Sequence, residues 1–406
     1  MTSLPPPSSG PYAYNTFVPL ATYADPVHGT IVRRVTTDHG RDDLYGRNMC
    51  WSSDGRRYLH RTQGVPGKPD AWDVIDVRSG IVTHTGIPFG TIAADGGFDA
   101  VDADVLYALS GREIRRILLQ SCGRWTDQAY FTAPDELREL GGSINWQDRG
   151  GRFMLVRYGP EPSVRVYDRR NLAAGPYANP IDATNTIGHG SYLGLSPNGR
   201  YVVGFDSRQV GLSKVGQGVS WALSHAQWSV ASSPTTFWSL CGDHGAFVSA
   251  SDGRDYMVTY NCYSHAGLWR VDITNSSEGL GEAAQMALPG NQQLLAFDSW
   301  NDFGHVASVA RGPRRDWVYV STEDTSDRLN GSTDPWHAYR QEILAVNVSS
   351  SQVWRAAHHR SRELGAGDDD AYYAQPRVST SWDGSTIGFA SNFNRLGVVD
   401  VYAMMI

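Results

Sequence analysis

Seven segments of the 406-residue chain repeat one pattern, and that pattern restricts the fold more than anything else in the sequence. Each is a strand of small residues, a polar turn of the Asp/Asn-Gly kind, and a strand of alternating apolar residues. The copies are WSSDGRRYLHRT (51–62), INWQDRGGRFMLVRY (144–158), LGLSPNGRYVVGF (193–205), VSASDGRDYMVTY (248–260), VARGPRRDWVYVST (309–322) and VSTSWDGSTIGFAS (378–391), with a weaker one, FDAVDADVLYALS, at 98–110. A second set follows several of them: AWDVIDVRSG (71–80), SVRVYDRRN (163–171), GLWRVDITN (267–275) and EILAVNVSS (342–350). These supply the third or fourth strand of each unit. The pattern predicts an all-β chain: a seven-bladed β-propeller of four-stranded antiparallel blades. The last strand, VVDVYAMMI (398–406), is expected to pair with TIVRRVT (30–36), closing the ring and hiding its open edges. The expected organisation is an N-terminal extension over 1–29 and a single propeller catalytic domain over 30–406. A two-sheet sandwich or a pair of β domains is the alternative. Helical periodicity is confined to DELRELGG (135–142), read as one short helix.

Composition agrees with many turns around a large core: 43 glycines and 41% apolar residues. The net charge of −7 gives no reason to expect nucleic acid or an anionic membrane as partner. No apolar run approaches the roughly 20 residues of a membrane span. The first residues, MTSLPPPSSGPYAYN, lack the basic start and apolar segment of a secretory signal. A secreted or periplasmic mature form whose signal has been removed is expected, with an intracellular protein as the alternative. Four scattered cysteines are too few for a disulfide framework, although one pairing is open.

In a propeller the inner strand of each blade starts on one face and the second strand ends on that face. Residues flanking each hairpin therefore share one rim around the central channel. His189 and Tyr192 start one inner strand, and Arg208 ends its partner. His244 and His305 start two more, Cys262 and His265 end a second strand, and Arg377 starts the last inner strand. His358 and His359 lie in the connection before it, and Tyr45, Asn145 and Trp146 lie near the first and third inner strands. Rim carboxylates are few, which disfavours the paired carboxylates of a glycosidase. Imidazole, phenol and guanidinium suit β-elimination beside a uronate carboxylate. A cation neutralises the carboxylate, one group takes the adjacent proton and another protonates the leaving oxygen. The expected catalytic set is Tyr192, Arg208, His189 and His244, with Asn145, Trp146, Arg377 and Tyr45 binding substrate. The pairs Cys241/His244 and Cys262/His265, each spaced C-x-x-H, suggest zinc, since zinc favours N/S ligands. The expected metal set is His244, Cys262, His305 and His358, holding a structural zinc. No nucleotide or redox cofactor is expected. A glycoside hydrolase, or a non-catalytic carbohydrate-binding or adhesion propeller, is the rival.

The sequence resembles the seven-bladed propeller polysaccharide lyases: ulvan lyases, rhamnose–glucuronate lyases and, more distantly, oligogalacturonate lyases. HGSYLGLSPNGRYVVGFDSR (189–208), GHVASVARGPRRDWVYVS (304–321) and AHHRSRELGAGDDDAYYAQPRVSTSWDGSTIGFASNFN (357–394) carry the resemblance. It implies cleavage of an acidic polysaccharide or oligosaccharide to a 4,5-unsaturated uronate. Tyr192 would be proton donor or acceptor and Arg208 the carboxylate clamp, sixteen residues on. The family's two upstream histidines have no counterpart, because no His falls between His84 and His189. The oligogalacturonate lyases imply a metal at His305 and Gln375, but Arg377 and Ser379 stand where further histidines are expected.

Overall fold

The computed structural model describes residues 3–4, 22–25, 27–36, 48–62, 71–88, 96–135, 137–140, 145–158, 163–182, 193–210, 213–240, 244–297, 304–322, 336–339, 341–361, 375–392 and 399–406, and structural statements below concern these. The hairpin repeat reads directly into backbone. In SSDGR, Asp54 Oδ1 accepts from Ser52 Oγ (2.5 Å) and Arg56 N (3.1 Å), while Ser52 Oγ accepts from Arg57 N (3.0 Å). SPNGR and SWDGS repeat the lattice. Asn198 Oδ1 accepts from Ser196 Oγ, and Asp383 Oδ1 accepts from Ser381 Oγ. The next residue must take a positive φ, +69° at Gly55 and +70° at Gly199, which glycine adopts without strain. The turn is thus fixed locally, and alternating apolar residues then set which strand face is buried.

The strands form antiparallel sheets around a ring, an all-β propeller. In the sheet over 304–358, Gly304–Ser308 pairs with Trp317–Thr322, then Glu342–Asn347, then Val353–His358. Apolar clusters fill the space between consecutive sheets. Val258, Leu268, Val306 and Leu344 join the 245–296 and 304–358 sheets, and Val35, Trp51, Ile75 and Val401 join the last sheet to the first. Closure follows the expectation. Ile31–Arg34 pairs with Asp400–Met405, with Val32 opposite Met404. Thr22–Ala24 adds to the same sheet, so part of the expected extension belongs to the ring.

Two expectations are corrected. Six sheets have four or five strands, not seven. The 57–88 sheet has three, because its inner position is reduced to a bridge between Trp51 and Tyr58. The segment read as a helix holds a strand, Leu137–Leu140, paired with Phe153–Tyr158. No described helix is long and apolar enough to cross a membrane.

Candidate functional site

The inner strands Gly245–Ser249, Gly304–Ser308 and Val378–Thr380 all start on the face opposite the Asp/Asn-Gly turns. Gly304 explains how one of them begins: a Cβ there would lie 1.9 Å from the Ser321 carbonyl oxygen. The next residue, His305, is buried, as is Arg377 from the last inner strand's lead-in, which is 0% exposed. The His244 and His305 rings stand 4.5 Å apart at 35°. His305 Nε2 is 3.5 Å from Gln375 Oε1, and Arg377 N donates to the Gln375 carbonyl at 2.8 Å, which holds both residues in one tight turn. Burial first, then the charges of His244 and Arg377, push His305 well below the ordinary imidazole range. At neutral pH the rim therefore combines a neutral imidazole and a buried guanidinium, with a half-buried second imidazole, His244, at its side.

The other expected residues fall elsewhere. Trp146 is 1% exposed, edge-on to Tyr107 within an inter-sheet core, so it is not a platform for a sugar. Asn145 does not present its amide to a substrate either. Its Oδ1 accepts from Asn48 N (3.0 Å) and its Nδ2 donates to Asn48 Oδ1 (2.6 Å). Asn48 in turn donates to the carbonyls of Ser308 and Thr380, at the turn-face ends of their strands. Both residues are structural because the spacing that puts them near the channel does not say at which depth. Tyr45, His189 and Tyr192 lie outside the described residues. The backbone of Arg208 runs in Tyr201–Val210, whose pairing with Ser213–Ser224 continues past the last inner-strand pair, Leu193 with Gly204, to Val210 with Ser213. Its side chain is outside the description.

The expected zinc set does not assemble. Cys262 is disulfide-bonded, so it offers no thiolate. His358 ends the outer strand of the 304–358 sheet and His305 lies on the inner one. Three strand intervals of about 4.8 Å each put them roughly 14 Å apart. His358 instead joins Asp25, His28 and Glu342, residues that carry no local motif. The metal implied by the oligogalacturonate lyase resemblance fits poorly as well. His305 and Gln375 are adjacent, but the buried Arg377 cation takes a place where a ligand is required and would repel a divalent ion.

No protein-family model matches the chain, and no curated protein matches it. Solved structures do. An oligogalacturonate lyase from Vibrio parahaemolyticus superposes with a TM-score of 0.59 at 12% identity, covering 95% of this chain and 96% of that one. Chaetomium thermophilum Sqt1, bound to the N-terminus of ribosomal protein L10, gives 0.50 at 11% identity, covering 91% and 97%. At these identities the likeness shows the fold: this chain is a β-propeller.

Proposed function

We propose that the protein is a polysaccharide lyase that cleaves a uronic-acid-containing chain by β-elimination. The observation that carries the reading is the buried Arg377 guanidinium beside the neutral His305 and the half-buried His244. Arg377, buried beneath the rim, supplies positive charge that draws the uronate carboxylate and stabilises the enolate-like charge that develops as the neighbouring carbon loses its proton. His244 takes that proton, with His305 packed behind it and kept uncharged, so that the pair carries one positive charge rather than two. The C4–C5 double bond forms as the glycosidic oxygen leaves. Tyr192 and Arg208, the pair offered by the sequence resemblance, are proposed as the leaving-group donor and a second carboxylate contact. The chemistry asks for no metal, in keeping with Arg377 in a ligand's place. An extracellular polymer as substrate implies a secreted or periplasmic location.

The test is to incubate the full chain with ulvan, a rhamnose–glucuronate polymer and galacturonate oligomers, following ultraviolet absorbance from a carboxylate-conjugated double bond. Growth of absorbance with at least one is expected. New reducing ends without absorbance would instead identify a hydrolase. Binding without any product would identify a carbohydrate-binding module.

A further inference from the structure

A second cluster lies on the same face, at the outer edge of the 304–358 sheet where it meets the closing sheet. Asp25 opens a tight turn: its Oδ1 accepts from Val27 N and His28 N, both at 3.0 Å, and its carbonyl accepts from Gly29 N. This turn joins Thr22–Ala24 to Ile31–Arg34 and projects His28 toward the neighbouring sheet. There Glu342 begins one strand and His358 ends the next, opposite each other in register. The side chains of Asp25, Glu342 and His358 are fully buried, and that of His28 is 9% exposed.

The distances are those of ligands around an ion. Glu342 Oε1 is 3.6 Å from His28 Nε2 and 3.4 Å from His358 Nε2. Both exceed a good charged hydrogen bond, about 2.7–2.9 Å. Both match the edge of a tetrahedron whose ligands stand about 2.0–2.1 Å from zinc, roughly 3.3 Å. Two imidazoles bound through Nε2 have ring centres about 3.2 Å from the metal, and hence about 5 Å from each other at a tetrahedral angle. The His28 and His358 centroids are 4.9 Å apart. Within this buried cluster, His28 Nε2 makes no hydrogen bond.

The surroundings complete a metal site. His358 Nδ1 is 3.1 Å from Asp25 Oδ2, and His358 N donates to the same oxygen at 2.9 Å. The carboxylate keeps the proton on Nδ1 and turns the Nε2 lone pair toward Glu342, as outer-shell carboxylates do for metal-bound histidine. Arg355 donates to both Glu342 oxygens, through Nε to Oε2 at 2.8 Å and through Nη2 to Oε1. Each carboxylate oxygen has a second lone pair, so Oε1 still has one for an ion. Asp25 and Glu342 together bring two negative charges, met by the guanidinium of Arg355 on Glu342 and by the charge of buried Arg360 near Asp25.

We propose that His28, Glu342 and His358 bind a zinc ion, with Asp25 as a positioning residue behind His358, and that the ion fastens the N-terminal closing segment to the adjacent sheet. Two imidazole nitrogens and a carboxylate oxygen favour zinc over magnesium or calcium, and the fourth tetrahedral position falls to water. The proposal stands independently of the lyase reading.

The test uses the full chain, stripped with a chelator and titrated with zinc chloride against a chromophoric competitor. One zinc per chain and a higher melting temperature in its presence are expected. His28→Ala should lose at least about 100-fold in affinity, and Asp25→Asn about 10–100-fold, the usual effect of an outer-shell partner. A wild-type chain that retains no stoichiometric zinc overturns the proposal, whether or not the variants fold. So does a folded His28→Ala that binds zinc as tightly as wild type.

Discussion

The two faces of the ring handle their polar groups in opposite ways. On the turn face, polar side chains are matched on the spot. Arg169, only 9% exposed at its side chain, donates to Asp99 at 2.6 Å and to Gln147 at 2.9 Å, also reaches the Tyr107 hydroxyl, and lies over that ring. Arg311 donates across the channel to the carbonyl of Ala100 at 2.6 Å, and Asn48 ties Ser308 and Thr380 to Asn145. On the opposite rim, buried Arg377 and His305 gather with the half-buried His244 and with Gln375, so a guanidinium and imidazoles share one place. That gathering of a cation with a neutral base is what the lyase proposal builds on.

The contrast can be broken most severely at Asp99. Asp99→Ala leaves Arg169 buried without its counter-ion and should cost about 3–5 kcal/mol of stability. Turnover per folded molecule should stay unchanged; denaturant titration alongside the ultraviolet assay checks both. The inverse is expected at the rim. Arg377→Ala should lower turnover at least about 100-fold, roughly 2.7 kcal/mol of barrier. Wild-type turnover in that variant would make the rim a second bracing face. The smallest effect concerns acid. The folded pKa of His305 lies below its unfolded value, near 6.5, so the stability it brings is present above that pH and is lost as pH falls toward the folded pKa. The slope from one such proton is at most about 1.4 kcal/mol per pH unit. His305→Gln should flatten the stability profile just below pH 6.5. At Asp99, burial raises the carboxyl but the Arg169 charge outweighs it and holds the group below the usual range, so the turn face should stay intact until far lower pH.

The architecture was legible because its signals are local. Ser-x-Asp-Gly dictates its own turn, and alternation sets the buried strand face, so ring closure between 30–36 and 398–406 followed from pattern alone. The 57–88 sheet fell short because an inner strand can shrink to one bridge without altering its turn motif. The site was half legible. His244, His305 and Arg377 were placed on one rim because position on the hairpin fixes the face on which a residue sits, and the structure brings them together. Trp146 and Asn145 were misread because position does not fix depth or which side of the strand is presented. Cys262 carried no mark of its disulfide. Asp25, His28 and Glu342 were missed because the turn and the sheet that bring them together are more than 300 residues apart in sequence, although the HHRS stretch did single out His358.

The Asn48–Asn145 clasp has a consequence for traffic. Joined to Ser308 and Thr380, it knots together the inner edges of four sheets near the turn face. Under the lyase proposal, a sugar chain would therefore meet Arg377 from the opposite face, and entry and exit would share that one side.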